Sequence, residues 1–347
     1  MLKKFFCLVM VFLLCLTFSA CEKKSEKQKF TEYSFDYFDT VTTIIGYENN
    51  KADFDSIYNE IKSILEEYHS LYNIYIRYEF NNLSAVNSNP NTAVKVDEKI
   101  IELLSFSKEM YTLTKGKTNV AMGSVLSIWH TYRQEGLNNP LDAKLPPMDK
   151  LESAAEHTNI NDLIIDSKNN TVLLSDDEMK LDVGAIAKGY AVERVAEFLN
   201  EKGKDGYLIN IGGNVRAVGK KDAQSGWKVG IENPDPEADD AYILYLEIED
   251  MSVVTSGNYQ RFYTVDGVNY HHIIDPATLM PSDKFSSVSV VCKDSGMADA
   301  LSTALFLMDY SDGINFVKEL SNVDAVWVFD NGDVKTTAGL ERYIVNN

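Results

Sequence analysis

Seven segments with strand-like patterns follow one another between residues 207 and 291, and no helical periodicity separates them. Consecutive strands joined by short connections pair antiparallel, because a parallel pair needs a crossover of a dozen or more residues. The segments are 207–211, 214–218, 227–231, 242–249, 252–256, 260–265 and 285–291. This succession excludes a regular alternation of strands and helices, and it predicts an α+β fold with mixed, largely antiparallel sheets.

Helical periodicity is found elsewhere in the chain. Apolar residues recur at three- and four-residue spacing from Phe54 to Leu71 and from Ile100 to Tyr111, which predicts two amphipathic helices. The same reasoning predicts helices over 185–202 and 297–309, strands at 37–47, 171–174 and 179–183 with two more around 324–338, and a loop over 134–150. No repeat or clean linker divides the chain, so residues 34–347 are predicted to form a single domain.

The first twenty residues have the layout of a secretory signal peptide. Two lysines precede an apolar run over residues 5–18, which is shorter than the roughly 20 residues of a membrane-spanning helix. Ser19 and Ala20 are small and directly precede Cys21, an ending that resembles a bacterial lipobox. We expect cleavage after Ala20, acylation of Cys21 with palmitate-type lipid, and a lipoprotein anchored on the extracytoplasmic face of the bacterial cell membrane. The alternative is a plain signal peptide with an incidental cysteine.

The composition argues against one class of binding partner and against stabilisation of the fold by a disulfide. The 347 residues include 33 basic and 52 acidic side chains, a net charge of −19, which argues against nucleic acid as a partner. Loss of residues 1–20 leaves 31 basic and 52 acidic residues, a net charge of −21. Cys292 then stands alone beside an acylated Cys21, so no internal disulfide is expected. The polar residues 21–33 are interpreted as a flexible tether.

The segment 181–190, LDVGAIAKGY, has the pattern of a strand, a turn at Gly184 and a helix. Backbone N–H groups at the start of such a helix can bind an anion, and Lys188 lies in the first turn. The spacing matches neither the phosphate-binding GxxxxGK[ST] loop nor the GxGxxG fingerprint. The alternative is a helix merely capped by Asp182.

Two further segments bring glycines and histidines together. In INIGGNV, residues 209–215, the glycine pair indicates either a close backbone approach or a hairpin turn. Residues 270–276, YHHIIDP, place His271 and His272 next to Asp275, a set that suits acid–base chemistry. Alternation along a strand sends the two histidines to opposite faces, so at most one is expected in a site. The alternative is two histidines without a catalytic role.

Asp299 and Thr303 are four residues apart in an otherwise apolar helix, so they share one face. A carboxylate and a hydroxyl that converge there suit a hard divalent cation such as Mg²⁺. The alternative is an acidic residue that favours the helix dipole, with a threonine bonded to its own turn.

Taken in order, these segments resemble the ApbE family of FAD:protein FMN transferases. The resemblance rests on DVGAIAKGYAVE, INIGGNV, VVTSGNYQRF, HHIIDPATLMP and ADALSTALFLM, and upstream on FDTVTTI, NLSAVN, TNVAMGSVLSIWHTYR and GWKVGIENP. It covers nearly all of the chain after the signal peptide. It implies a single-domain α+β fold related to the T-fold, and exported bacterial lipoproteins are typical of the family.

The resemblance implies an activity and a set of site residues. The family uses Mg²⁺ to cleave the pyrophosphate of FAD and transfers FMN to a Thr or Ser hydroxyl of a target flavoprotein, here a membrane or extracytoplasmic one, with release of AMP. Matching positions imply a catalytic His272 and metal ligands at the Ala185 carbonyl, Asp299 and Thr303. They imply FAD contacts at Phe38, Ala121, Met122, Gly123, Asp182 and Lys188.

Some positions depart from the family pattern, and other functions stay open. Phe38-Asp39-Thr40 replaces the commoner Met-Gly-Thr, Ala185 replaces a frequent Gly, and Leu279 stands where the family has Gly. The resemblance does not place the upstream flavin-stacking aromatic residue, for which Tyr75 and Tyr78 are the candidates. One alternative function is a Mg²⁺-dependent FAD pyrophosphatase, in which water replaces the acceptor hydroxyl. Another is a surface lipoprotein that binds flavin without catalysis.

Overall fold

The computed structural model describes residues 27–222 and 224–346. The predicted signal peptide and the predicted lipidation site Cys21 lie outside these residues. No helix in the described ranges combines the length and the apolar character needed to cross a membrane.

The described residues form a mixed α and β structure, as predicted. The helices are α1 (Lys51–Tyr72), α2 (Leu83–Asn87), α3 (Glu98–Leu113), α4 (Gly123–Asn138), α5 (Met148–Ala155), α6 (Ala187–Glu201), α7 (Ser295–Leu307) and α8 (Tyr310–Glu319). The strands are β1 (Gln28–Ser34), β2 (Thr42–Glu48), β3 (Val94–Lys95), β4 (Leu163–Asp166), β5 (Thr171–Leu174), β6 (Tyr207–Ile211), β7 (Asn214–Val218), β8 (Trp227–Glu232), β9 (Tyr242–Ile248), β10 (Ser252–Gly257), β11 (Phe262–Val265), β12 (Val268–His271), β13 (Ser287–Cys292), β14 (Asp324–Val328), β15 (Val334–Thr336) and β16 (Ile344–Val345).

Eight of these strands form the central sheet, in the order β1-β2-β6-β7-β10-β13-β14-β15. Every neighbouring pair in it is antiparallel. Smaller sheets are built from β16-β9-β8, from β3-β5-β4 and from the hairpin β11–β12. The predicted α+β class with largely antiparallel pairing is confirmed.

Alternating side chains on the central sheet enter two different cores. On β2, Ile44 is fully buried in a core shared with helices α1 and α6, whereas Ile45 packs into a core shared with the β16-β9-β8 sheet. Successive side chains of a strand point to opposite faces, so one strand supplies both layers. The central sheet therefore carries helices on one face and a small sheet on the other.

Helices α6 and α7 approach each other very closely at Gly189. A Cβ atom at position 189 would lie 2.2 Å from the Ser295 carbonyl oxygen and 2.5 Å from the Asp299 Cβ. Only glycine leaves room for this contact. The close approach brings the first turn of α6 next to the first turns of α7, where the predicted metal ligands are.

The predicted tether over residues 21–33 is wrong for its second half. Gln28–Ser34 is strand β1, which pairs antiparallel with β2 along its whole length. An edge strand bonds through its backbone and exposes most of its side chains, so its polar composition resembles that of a linker. The folded part therefore begins before residue 34.

Other predicted boundaries need correction as well. The strand expected at 37–47 is shorter, because Phe38 and Asp39 adopt left-handed backbone angles, φ 53° and 51°, and turn the chain before Thr42. The strand expected at 179–183 is reduced to an isolated bridge between Met122 and Lys180. The loop expected at 134–150 is partly helical, since α4 continues to Asn138 and α5 begins at Met148.

Candidate active site

A cavity of about 330 Å³ is lined by segments that are far apart in the sequence. They include the turn 38–40, residues 73–75 after α1, residues 117–119, the start of α4, the loop 182–188, the end of β10, the hairpin β11–β12 with the residues that follow it, and helix α7. The fold brings eight of the ten predicted cofactor, metal and catalytic residues to this cleft: Phe38, Met122, Asp182, Ala185, Lys188, His272, Asp299 and Thr303.

Ala121 and Gly123 are not among the residues that line the cleft. Ala121 is fully buried in the core. At Gly123, a Cβ atom would lie 2.5 Å from the Lys180 carbonyl oxygen, and the Gly123 N–H donates to that oxygen at 3.0 Å. These two residues therefore place Met122 in the cleft wall through backbone packing.

Asp182 organises the turn before helix α6. Its Oδ1 accepts a hydrogen bond from the Gly184 N–H at 2.8 Å, whereas helix α6 has Ile186 at its N-cap and no side-chain cap. The simple capping alternative is therefore wrong. Burial raises the pKa of Asp182, while the Gly184 hydrogen bond and the nearby His130, Lys188 and Arg133 oppose this rise.

Asp299 lies at the contact between α6 and α7 and is 3% exposed. Its Oδ2 accepts a hydrogen bond from the Gly189 N–H at 2.8 Å and lies 3.6 Å from the Lys188 Nζ. Burial raises the pKa of Asp299, and Lys188 and the Gly189 hydrogen bond counteract it. A buried carboxylate held in this way needs a cation beside it.

Thr303 lies one turn after Asp299 on helix α7 and also lines the cleft. The Ser256 Oγ at the end of β10 is 3.3 Å from the Thr303 Oγ1 and 2.8 Å from the Ser302 Oγ. Asp299, Thr303 and Ala185 all line the cleft, so they can supply a carboxylate, a hydroxyl and a backbone carbonyl, a donor set of oxygens that suits Mg²⁺. The described residues contain no cluster of three or more His, Cys, Asp or Glu that could bind a metal, so such a site relies on neutral oxygens beside one carboxylate.

The two histidines of the HHIIDP segment have different environments. The His271 ring is buried: its Nε2 lies 2.6 Å from the Ser282 carbonyl oxygen, and its Nδ1 accepts from the Ile273 N–H. The His272 ring is open to the cleft, and its Nδ1 lies 3.3 Å from the Arg261 carbonyl oxygen. A carbonyl can only accept, so the Nδ1 of His272 carries the proton and its Nε2 is left as a proton acceptor.

The charge state of His272 follows from its surroundings. Loss of hydration inside the cleft, followed by the positive charges of Arg261 and Arg133, lowers the pKa of His272 below the usual range. The imidazole is therefore neutral at pH 7 and able to take up a proton.

Tyr75 rather than Tyr78 lies in the cleft. The Tyr75 ring stacks on His130 with centroids 4.9 Å apart and an interplanar angle of 28°. Tyr78 instead stacks on Phe80 and is not a lining residue. Tyr75 is therefore the better candidate for the flavin-stacking aromatic residue.

The positions that depart from the family pattern still form well-defined turns. Phe38 donates its N–H to the His69 Nδ1 at 3.1 Å, and the Arg261 Nη2 donates to the Asp39 carbonyl oxygen at 3.0 Å. These bonds hold the left-handed turn at 38–39 against the cleft. Leu279 adopts φ 60°, the left-handed angle that glycine favours, so the tight turn after the His–Asp segment is kept without glycine.

Three features of the cleft were not predicted from the sequence. Arg133 on α4 lines it, beside His130. Lys117 forms an ion pair with the buried Asp275, Nζ to Oδ1 3.1 Å. The Arg261 side chain reaches across the cleft to the turn at 38–39. A helical pattern over 118–133 would have indicated that His130 and Arg133 lie on one face. The contacts of Lys117 with Asp275 and of Arg261 with the turn at 38–39 join segments more than 150 residues apart, so no local pattern predicts them.

Comparisons with known proteins agree with this architecture. A family model described as "ApbE family" matches residues 35–327. A FAD:protein FMN transferase of Treponema pallidum is 33% identical over 273 residues, which covers 74% of this chain and 73% of that protein. One of Klebsiella pneumoniae is 31% identical over 242 residues and covers 70% and 72%.

Solved structures show the same fold. The ApbE protein of Thermotoga maritima superposes with a TM-score of 0.81 at 28% identity, over 92% of this chain and 100% of that one. The flavin transferase ApbE of Vibrio cholerae superposes with a TM-score of 0.76 at 24% identity, over 91% and 99%. With the family model and the sequence relatives, this likeness establishes that the chain belongs to the ApbE family.

Proposed function

We propose that this protein is a Mg²⁺-dependent FAD:protein FMN transferase that attaches FMN to a Thr or Ser hydroxyl and releases AMP. Flavin transfer is the activity for which its relatives are named. The requirement for Mg²⁺, the hydroxyl acceptor and the AMP product go beyond the names of these relatives and belong to our proposal. The observation that supports them is the convergence of Lys188, Asp299, Thr303 and His272 on one cleft.

Each residue has a role that its chemistry allows. The N-terminus of α6 and Lys188 would bind the phosphates of FAD, which offsets the repulsion expected from a chain of net charge −19. Asp299, Thr303 and the Ala185 carbonyl would hold Mg²⁺, which neutralises charge on the phosphate oxygens when it is bound. Tyr75 and Phe38 would contact the flavin ring.

We assign to His272 the role of the general base that takes up the proton of the acceptor hydroxyl. The acceptor hydroxyl loses its proton to the free Nε2 of His272 as its oxygen bonds to the phosphorus on the FMN side. The pyrophosphate P–O bond breaks, and its electron pair leaves with AMP. The Arg261 carbonyl bonded to Nδ1 keeps the ring in the tautomer that this step needs.

The test is incubation of the mature protein with FAD, Mg²⁺ and a candidate FMN-binding domain, followed by mass analysis of that domain and assay of AMP. A covalent FMN adduct formed in step with AMP supports the proposal. Free FMN and AMP without an adduct, even with several acceptors, would indicate the pyrophosphatase. Bound, unchanged FAD would indicate a flavin-binding lipoprotein.

Asp299→Asn is expected to weaken Mg²⁺ binding and FMN transfer together. The amide keeps the shape of the side chain but removes the anionic oxygen, and the loss in metal affinity should be on the order of 100-fold. Titration of transfer activity with Mg²⁺ measures the effect. Full activity of the variant at ordinary Mg²⁺ concentrations would exclude Asp299 as a ligand.

We also propose that the protein is anchored by lipid at Cys21, on the extracytoplasmic face of the membrane, where it modifies membrane or extracytoplasmic flavoproteins. Cys21→Ser should therefore release the protein from the membrane fraction or leave an uncleaved precursor, because serine has no thiol to acylate. Fractionation followed by immunoblotting measures both. A variant of mature size that stays with the membrane would rule out this anchor.

A further inference from the structure

Lys188 occupies the space next to the proposed metal ligands. Its Nζ lies 3.6 Å from the Asp299 Oδ2 and donates a hydrogen bond to the Gly184 carbonyl oxygen at 3.2 Å. Gly184 directly precedes Ala185, whose carbonyl is a proposed metal ligand. The ammonium group therefore lies between a carboxylate and a backbone carbonyl, beside the residues that would hold a divalent cation.

The environment of Asp299 explains why a cation is there. Its side chain is 5% exposed and that of Lys188 is 21% exposed. A carboxylate buried to this extent needs a positive partner, since water no longer solvates it. Among the described residues, Lys188 is the cationic side chain within ion-pair distance of Asp299.

We propose that Lys188 is an internal counter-cation that competes with the divalent metal for Asp299 and moves to the phosphates of FAD when FAD binds. This inference rests on the proposed function, which supplies the metal and FAD. The Lys188 ammonium group, 3.6 Å from the Asp299 Oδ2, would repel a divalent cation bound to the same carboxylate. A lysine has a long flexible stem and can change partner with little rearrangement. Metal binding is then weak until FAD arrives.

The proposal makes metal and FAD binding mutually dependent. If FAD raises the affinity for the metal by drawing Lys188 away, the metal raises the affinity for FAD by the same factor. A lysine with a purely phosphate-binding role would have no such effect on the metal in the absence of FAD. The affinity of the FAD-free protein for the metal therefore separates the two roles.

The experiment measures Mn²⁺ binding to the mature protein without FAD, by the electron paramagnetic resonance signal of free Mn²⁺. Lys188→Met removes the competing charge at similar length and should bind Mn²⁺ roughly 10- to 100-fold more tightly than the unmodified protein, a usual size for coupled sites. Lys188→Arg keeps the charge and should bind weakly. The matched control is Lys180→Met, which removes an equal charge from an exposed position outside the cleft and should change little.

A second set of titrations contains FAD and uses a His272→Ala background to prevent turnover. FAD should raise the Mn²⁺ affinity of the protein that retains Lys188 by a larger factor than it raises that of the Lys188→Met variant. Equal or weaker Mn²⁺ binding by Lys188→Met without FAD overturns the proposal, as does an equal gain in Lys180→Met. Failure of FMN transfer in the mass assay would refute the proposed function but would leave the metal isotherms unchanged.

Discussion

His272→Ala is expected to lower FMN transfer by roughly 10²- to 10⁴-fold, the usual contribution of a positioned general base. The affinity for FAD should change little, because the hydrogen bond of the His272 ring goes to the Arg261 carbonyl oxygen and not to Lys188 or Asp299. Single-turnover transfer to the acceptor domain and a separate FAD-binding titration measure the two effects. If transfer is undiminished, His272 is not the general base, and the carboxylate of Asp275 is the next candidate.

His271→Ala is the matched control for this prediction. His271 is buried, hydrogen-bonds to Ser282 and meets the Phe306 ring edge-on at 5.6 Å. Its loss should cost stability, about 1–3 kcal/mol for a buried polar partner left unsatisfied, while the folded fraction keeps its transfer rate. Loss of transfer in folded His271→Ala, with His272→Ala active, would show that the histidine assignment is wrong by one residue.

The low pKa of His272 predicts the pH dependence of this step. A histidine whose folded-state pKa is lowered stays neutral as the pH falls through about 6.5, where an unfolded histidine becomes protonated. The base is therefore available on the acid side, and kcat/KM for FAD should stay level as the pH falls from about 8 to about 6. An ionisation near pH 6.5 that vanishes in the His272→Ala background would contradict the lowered pKa.

Arg216→Met is expected to destabilise the protein by about 3–5 kcal/mol, the usual cost of leaving a buried charge without its partner. Arg216 is fully buried, and its Nε donates to the Glu193 Oε2 at 3.1 Å. The same Glu193 oxygen accepts the Ser295 N–H at 2.8 Å, at the first residue of α7. This network connects β7 and α6 to the first residue of α7, one turn before the proposed metal ligand Asp299. Urea unfolding followed by circular dichroism measures the change in the free energy of unfolding.

The double variant Arg216→Met with Glu193→Gln tests the cause. Arg216 also pairs with Asp250, but Asp250 is 38% exposed and has Lys293 as a second partner. Removing the charges of Arg216 and Glu193 together therefore leaves no buried unpaired ion, so the double variant should recover much of the stability that Arg216→Met loses. If the double variant is as unstable as the sum of the single ones, the loss comes from side-chain packing and not from the unpaired charge. Mn²⁺ binding by the folded variants would show whether the network also positions the Asp299 carboxylate for metal binding.

Much of the fold follows from local patterns in the sequence. The run of strands between residues 207 and 291 predicted antiparallel pairing, and seven of the eight observed strands β6 to β13 match predicted segments, whereas β12 was not predicted. The amphipathic pattern from Phe54 to Leu71 lies within helix α1. These predictions succeed because side-chain period and chain connection are local properties.

Local patterns failed where pairing or packing decided the structure. The polar residues 28–33 resemble a linker by composition, yet they form strand β1 because the edge of β2 offers them backbone hydrogen bonds. Most residues of 37–41 have strand-forming side chains, but the hydrogen bonds to His69 and Arg261 hold this segment as a turn. In both cases the deciding partner lies in another segment of the chain.

The sequence by itself determined the α+β class, the likeness to the ApbE family and the choice of His272, Asp299 and Thr303 as chemical candidates. The tertiary structure alone decided how these groups meet. It showed that Met122 and not Ala121 or Gly123 lines the cleft, and that Tyr75 and not Tyr78 does so. The physical reason is that a residue type fixes what a side chain can do, whereas its neighbours, burial and hydrogen-bond partners depend on segments that only folding brings together.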